Sequence, residues 1–484
     1  MNDQDEVQGI AGNSGPIVAT AIAASTVVIQ PVLRITKGTI LEYLARFGEA
    51  GLRYQDLAEH FGIKSEDKDN LKKLSDFMAE LVDSEMVRET IFEHKGKIET
   101  WYKINNVLKN GGNISLGNVH QTFKKWFHLQ DTNRVDIVLA VALSHKLEGT
   151  PLWLIIVSNS GDMKTEQIVA LDDDGKTTKL IHKFTDKTLV NGFRNKEKHP
   201  DLAPKLNGKI ALIPDMAEIL QLHPNIKAQV WGQLRDLYDG FAGVQTGMGT
   251  DIEYKGLRVT LIGASTPAID DQILIHQSLG TRELIYRPKE VVDIEKLMAK
   301  AWMNEEMEQQ MRSEIKSVCH DFLNSVEIKD VEIPKYIEKA IKTHTMWLCD
   351  MRATASIDSI TGELRGDVHS ERPTRVLKQL KRLYICLKNL DNKYDDDKAL
   401  EIIKETVEGS ADQIRLKVLK LLQAQGLLTT SEVADKLRIG KKAAKTELCI
   451  LWNLKHVNRH IEEATNSYGN TFIVKEEWEI TNRH

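Results

Sequence analysis

Apolar residues fall along this chain in three different rhythms. From Lys37 they recur at helical spacing, with Ile40, Leu41, Leu44 and Phe47 on one face and Gly48 and Gly51 punctuating the segment. Residues 54–63 read as a short helix broken at Gly62, and Asp69 to Val82 as a third helix. Met86–Thr90 and Thr100–Ile104 then alternate apolar and polar side chains, the period of two that a half-buried hairpin requires. A similar rhythm returns near the other end. Ile414–Gln425 is amphipathic, 430–437 predicts a second helix capped by Thr430 or Ser431, Lys441 opens a third after Gly440, and Thr471–Val474 offers a strand. The middle differs: 152–157, 209–214 and 258–263 are short apolar runs, each followed by a turn signal and polar residues. Such runs, alternating with helical segments, suit the buried strands of a parallel sheet. Residues 291–390 are helical, charged and low in glycine, and 390–398 predicts a linker.

Three helices followed by a hairpin is the outline of a winged helix, a variant of the helix-turn-helix. The chain therefore divides into a flexible tail (1–36), a winged helix (37–110), an α/β core (115–290), a helical lid region with a linker (291–395) and a second winged helix (410–484). Within the tail, Ile17–Ile29 is apolar and uncharged, but Asp3, Asp5 and Glu6 precede it where a signal peptide needs positive charge. The run is also shorter than the roughly 20 residues that span a bilayer. The expectation is a cytoplasmic protein with no membrane partner.

Composition narrows the class without naming it. The 484 residues are 41% hydrophobic and 28% charged, a globular balance that excludes a mostly disordered chain. Sixty-five Lys and Arg against 70 Asp and Glu exclude a protein that coats nucleic acid by bulk charge. The average conceals an asymmetry. Residues 411–460 hold ten basic and four acidic side chains, with Lys436, Arg438, Lys441, Lys442 and Lys445 clustered around the third helix and Lys455 and Arg459 beyond it. That patch is either a DNA-phosphate contact, salt-sensitive through counterion release, or a solvated helix face. The first winged helix, with 11 basic and 14 acidic residues over 37–103, suits protein contacts or self-association. Four cysteines with no pair closer than 30 residues spell neither a zinc ribbon nor a disulfide framework, and a reducing compartment follows.

Candidate chemistry lies at the ends of the three central runs. After 152–157 comes Ser-Asn-Ser-Gly-Asp-Met-Lys-Thr (158–165), in register with the phosphate-binding loop GxxxxGK[ST]. In that loop, backbone N–H groups wrap phosphate oxygens at a helix N-terminus, the Lys neutralises the β and γ phosphates, and the hydroxyl ligates Mg²⁺. Lys164 and Thr165 occupy the two active places and Gly161 the middle of the turn. Ser158 and Met163 stand where the pattern has glycine, and a Cβ at Met163 is expected to crowd the turn. A plain strand–turn–helix connection is the alternative. The second run ends at Asp215, as a Walker B acid does, with Glu218 three residues on as a candidate for polarising the attacking water. Acids also end buried strands simply to cap a loop. The third run ends in Ser265 and Thr266, placed to sense a γ phosphate, and Arg282 follows either as an arginine finger for a neighbouring subunit or as a surface ion pair with Glu283 or Asp271.

The order of these motifs resembles a family. His120–Phe127, the apolar stretch 135–147 and Gly149–Val157 resemble the entrance to the AAA+ ATPase domain of phage and mobile-element replication proteins. Residues 183–193, 234–240 and 262–270 are similar to later parts of that domain, and 371–383 to the lid helix of minichromosome-maintenance type helicases. The resemblance spans about 120–484. It implies an AAA+ P-loop NTPase core with a helical lid, flanked by N- and C-terminal winged-helix domains. It further implies ATP held by Ser158, Gly161, Lys164 and Thr165, with Mg²⁺ at Thr165 and Asp215. Ser265 or Thr266 becomes sensor 1, Arg282 the trans finger, and Arg375 or Lys378 sensor 2. The implied activity is an ATP-driven helicase or translocase on DNA, working as a hexameric homo-oligomeric ring with replication partner proteins. The residue after Asp215 is Met216, not the Glu of many relatives. With Ser158 and Met163 it leaves open a catalytically weak or inactive scaffold that recruits a partner to DNA. A loader that remodels a protein partner is the third reading.

Overall fold

The computed structural model describes residues 35, 40, 43–44, 52–83, 87–94, 97–104, 114–193, 200–246, 250–272, 280–289, 293–358, 360–465 and 471–481. The chain falls into two compact units, Met1–Val107 and Leu108–His484.

In the first unit, helices Tyr54–His60 and Lys68–Asp83 accompany a three-stranded antiparallel sheet. Its strands β1 (Leu52–Arg53), β2 (Val87–His94) and β3 (Lys97–Ile104) run in the order β1-β3-β2. Ile40, Leu44, Leu57, Leu74, Met78 and Leu81 bury together, as the helical spacing requires. The hairpin is longer than its alternating cores, pairing from Val87↔Ile104 to His94↔Lys97. Leu41, Phe47, Gly48, Gly51 and Met86 lie outside the described residues, as does the 1–34 stretch.

The second unit is built on a five-stranded parallel sheet. Its strands are β4 (Trp153–Val157), β5 (Thr178–Leu180), β6 (Lys209–Ile213), β9 (Val259–Ser265) and β10 (Leu284–Tyr286), in the order β10-β4-β9-β6-β5. Side chains alternate across the pleat of β4. Leu154 and Ile156 join a core with helices Asn133–Leu143, Thr374–Lys388 and Asp396–Ser410, while Trp153, Ile155 and Val157 pack with helix Pro224–Tyr238. Burial on both faces explains why the runs are apolar throughout.

Three departures from the sequence reading have physical reasons. Residues 390–398 are not a linker. Tyr394 is buried, its hydroxyl donates to Asp136 Oδ2 at 2.7 Å, and Asp395 accepts from Lys398 N to cap helix Asp396–Ser410. The acidic run is a helix N-terminus, where negative charge is favourable. That helix covers the edge of β10. Gly409 packs so close that a Cβ there would lie 2.5 Å from Ile285 O, and Ile285 N donates to Ser410 Oγ at 2.7 Å. Second, the helical reading of 291–390 misses a hairpin. Among helices Ile294–Asn304, Glu308–Ser325 and Lys335–Met351 and the 374–388 helix, strands β11 (Thr354–Ile357) and β12 (Leu364–His369) pair antiparallel. Another hairpin, β7 (Phe241–Thr246) with β8 (Thr250–Lys255), lies between β6 and β9 in the chain. Third, helix Thr430–Leu437 is capped by Thr429, which forms a capping box with Glu432. The last three helices, Gln413–Gln425, Thr430–Leu437 and Lys441–Asn453, accompany a sheet of β13 (Leu428–Thr429), β14 (Val457–Thr465) and β15 (Thr471–Ile480) in the order β13-β15-β14.

Candidate functional site

The loop after β4 turns through Gly161, at φ +82°, and Met163, at φ +33° and ψ 4°, before helix Lys164–Val169 begins. Both are left-handed conformations. Glycine enters that region freely, and a Cβ on Gly161 would meet nothing within 4 Å. Methionine pays about 1–2 kcal/mol to stay there. The expected crowding at Met163 thus takes the form of backbone strain: the turn keeps the shape that a glycine would hold without cost. Its side chain is half-buried against the core.

Two cations fix the loop. The Arg134 guanidinium, 5% exposed, donates to Asp162 Oδ1 at 2.8 Å and to Asp162 O at 3.0 Å, tying the turn to helix Asn133–Leu143. Lys164 is 7% exposed, and its Nζ donates to the carbonyls of Ser158 at 3.0 Å and Asn159 at 2.7 Å. Burial pulls its ammonium below the usual lysine range, while Asp162 and Asp215 act in the opposite direction. Thr165 Oγ1 reaches Pro214 O at 3.4 Å, so the start of this helix abuts the end of β6.

Because β4, β9 and β6 are neighbours and parallel, their carboxyl ends converge. They frame a cavity of about 410 Å³ lined by Gly161, Met163, Lys164, Thr165, Asp215 and Thr266. The same cavity is lined by Trp126 at the end of helix Leu116–Trp126, by Phe127 and His128 just beyond it, and by Leu297, Asn304 and Met311 of the two helices that follow β10. Asp215 is exposed and accepts from Ala217 N at 2.8 Å. The converging sequence residues are therefore Gly161, Lys164, Thr165, Asp215 and Thr266. Sequence reasoning missed the Arg134–Asp162 clamp and the Trp126–His128 wall. An Arg and an Asp 28 residues apart have no shared motif, and a Trp-Phe pair reads as ordinary core.

Other candidates lie elsewhere. Ser158 contributes its carbonyl to Lys164, and its hydroxyl is buried without a partner among the described residues. Ser265 is fully buried within β9, behind Thr266. Glu218 stands exposed in the first turn of helix Ala217–Gln221 and is not part of the cavity wall.

Arg282 precedes β10 at the amino end of the sheet, the end opposite the loop. Its guanidinium pairs with Asp239 at 2.7 Å, not with Glu283 or Asp271. Arg375 and Lys378 line a second cavity of about 640 Å³, with Leu152, Tyr238, Asp239 and Arg382, at that same amino end. Five residues of β4 separate the two cavities, roughly 17 Å of strand. Arg375 and Lys378 therefore cannot serve as sensor 2 for the loop of their own chain. Arg375 is also paired with Glu371, Nε to Oε1 at 3.0 Å.

The basic cluster divides too. Lys436, Arg438, Lys441 and Lys442 are exposed around the 441–453 helix. Lys445 is not: its side chain is 13% exposed, pairs with Glu363 at 2.9 Å and with Glu476, and sits over the Trp478 ring. Arg459 pairs with the same two carboxylates. Lys445, expected as an open DNA contact, is thus held in an internal ion-pair cluster in this structure. Among the described residues no helix is long and apolar enough to cross a membrane. No protein-family model matches the chain, and no curated protein matches it.

Proposed function

We propose that this chain is an ATP-driven DNA motor, a helicase or translocase of the AAA+ kind from a phage or mobile-element replication system. The observation that carries the reading is the convergence of Lys164, Thr165, Asp215 and Thr266 on one cavity at the carboxyl ends of parallel strands. In open α/β sheets ligands bind at that end. The cavity suits a nucleotide: Trp126, Phe127, Leu297 and Met311 offer an apolar end for a base, and Lys164 with the loop amides a polar end for phosphates. Gly161 leaves the backbone open to close approach. Lys164 would neutralise phosphate charge, and Thr165 and Asp215 would hold Mg²⁺. The ion would supply charge neutralisation across the phosphate oxygens. Thr266, at the tip of the strand between β4 and β6, stands where sensor 1 belongs in this reading.

Arg282, Arg375 and Lys378 favour a ring. They gather at the amino end of the sheet, out of reach of their own loop, as residues that complete a neighbour's site must be. The Arg282–Asp239 pair then holds the finger in the isolated chain and is exchanged on assembly. DNA enters the reading through Lys436, Arg438, Lys441 and Lys442, and the helices and sheet around them support a winged helix in the C-terminal region.

Magnesium-dependent ATP hydrolysis, measured with and without single-stranded DNA, tests the proposal. Turnover should rise with DNA and vanish in Lys164→Ala while far-UV circular dichroism stays unchanged. Equal turnover in the variant and the parent refutes the assignment of the loop. Neutralising Lys436, Arg438 and Lys441 together should flatten the slope of log affinity against log salt by about 0.9 per lost phosphate contact. A second reading, a DNA-bound scaffold with weak or no hydrolysis, is favoured by Met163 and by the position of Glu218 outside the cavity. No turnover with retained nucleotide binding would select it.

A further inference from the structure

The helix at 441–453 is covered on two sides, while Lys441, Lys442 and Trp452 stay exposed. Ala444, Leu448 and Leu451 face its own core and are buried. A second face presents Lys445, Thr446 and Cys449, within about one turn of one another along the helix. Against it lies the turn of the β11–β12 hairpin. Thr446 Oγ1 donates to Gly362 O at 3.2 Å, and Cys449 Sγ donates to Glu363 Oε2 at 3.4 Å. Glu363 also pairs with Lys445 at 2.9 Å and Arg459 at 3.1 Å, two cations that Glu476 of β15 holds as well. The approach is close enough that a Cβ on Gly362 would lie 2.9 Å from Lys442 O. Gly362 itself has φ +76°, so the position favours glycine twice over.

We propose that this hairpin is a cover over the central part of the DNA face of the 441–453 helix, with Glu363 supplying a second carboxylate, beside Glu476, where a phosphate would otherwise meet Lys445 and Arg459. The inference rests on the DNA reading above. In a helix-turn-helix, the face turned away from the core is the one that enters the groove, and here the middle of that face is occupied by the chain itself. The Glu363 carboxylate stands in for a phosphate oxygen: it has the same sign, and it lies within hydrogen-bonding distance of both Lys445 and Arg459. Its own turn is rigid, because Asp358 accepts from the amides of Ile360 and Thr361 at 2.8 Å and pairs with Arg365 at 2.7 Å. The cover is joined to the rest of the unit through β11 and β12, between helices 335–351 and 374–388. Opening it exposes the helix to DNA, and binding of DNA opposes its closure by the same factor.

The test uses the full chain and two substitutions that loosen the contact from different sides. Gly362→Val drives a side chain into Lys442 O, and Glu363→Gln removes the charge while keeping the shape. Two measurements are made on each: the alkylation rate of Cys449, read by peptide mapping, and affinity for a fluorescent duplex at several salt concentrations. Cys449 is buried in the parent, 1% exposed, so its labelling reports the cover directly. The expected result is faster labelling together with DNA binding tighter by about ten-fold, the factor for a face shut nine-tenths of the time. Faster labelling with unchanged affinity overturns the cover, and if Lys441→Ala still weakens binding the DNA reading stands without it. Labelling that neither substitution accelerates overturns the cover as well. Failure of parent and variants alike to bind DNA, with labelling accelerated, overturns both.

Discussion

Replacing Met163 by glycine separates the cost of the loop from its use. In the parent, a side chain sits at φ +33° on the turn that lines the cavity, at the end proposed to hold phosphates. Relieving left-handed strain returns about 1–2 kcal/mol. Losing a half-buried methionine side chain costs about 1 kcal/mol, roughly half of full burial. The added freedom of the unfolded chain costs a further 0.5–1 kcal/mol or so. These terms nearly cancel, so Met163→Gly should melt within about 3 °C of the parent. Nucleotide binding does not cancel. To admit phosphates against the loop, the parent must move the methionine off its packing, surrendering about 1 kcal/mol that the variant never has. Affinity for Mg-ATP, measured by isothermal titration calorimetry, should rise about five-fold. Met163→Ala is the control: it shortens the side chain but keeps the Cβ and the strain, and should recover only part of the gain. The reasoning fails if Met163→Gly binds Mg-ATP no tighter than the parent while melting at the same temperature.

Two further predictions concern the frame around the site. Asp136 is fully buried and accepts from Tyr394 at 2.7 Å and Lys398 at 2.5 Å, with His120 close beside it. Burial raises its carboxyl pKa, but His120 and Lys398 outweigh that and hold it below the usual carboxylate range. A depressed folded pKa gives stability that is complete above the unfolded value and lost as pH falls through the folded one. Asp136→Asn should therefore lose about 3 kcal/mol in urea unfolding at pH 7, with the gap to the parent narrowing below pH 3.8; a constant gap refutes the ionised pair. Gly409→Val must push the 396–410 helix off the backbone of β10, and should cost about 2–3 kcal/mol in the same assay. A neutral result would mean that the edge strand does not depend on that contact.

What the sequence made legible follows from how local each signal is. The β4, β6 and β9 runs are apolar because both faces of the sheet are buried, so composition alone marks them. β5 and β10 have three residues each and carry no period, and β10 gains its cover from a helix more than 100 residues later. The acids at 395–397 read as a linker because charge runs usually are solvated. Only the burial of Tyr394 and its bond to Asp136 turns them into a helix start. Lys164, Thr165 and Asp215 were readable as motif positions, since spacing fixes where a loop residue falls after a strand. The placement of Arg375 and Lys378 opposite the loop was not legible, because spacing does not say which end of the sheet a distant helix approaches.

Charge count was the weakest guide of all, and the reason bears on function. Ten basic residues against four acidic ones over 411–460 suggested one open patch. Lys445 and Arg459, however, are held by Glu476 from β15 and by Glu363 from a hairpin some 80 residues upstream of Lys445. A tally within a window cannot register a carboxylate that arrives from outside it. The exposed remainder, Lys436, Arg438, Lys441 and Lys442, surrounds the start of the 441–453 helix, while the centre of the helix is closed. On the proposed function, nucleic acid would first encounter that exposed rim and would reach the centre only by displacing Glu363 and competing with Glu476. If the proposed DNA contact holds, this charge arrangement predicts two-stage engagement, weak and salt-sensitive first and tighter after the hairpin lifts.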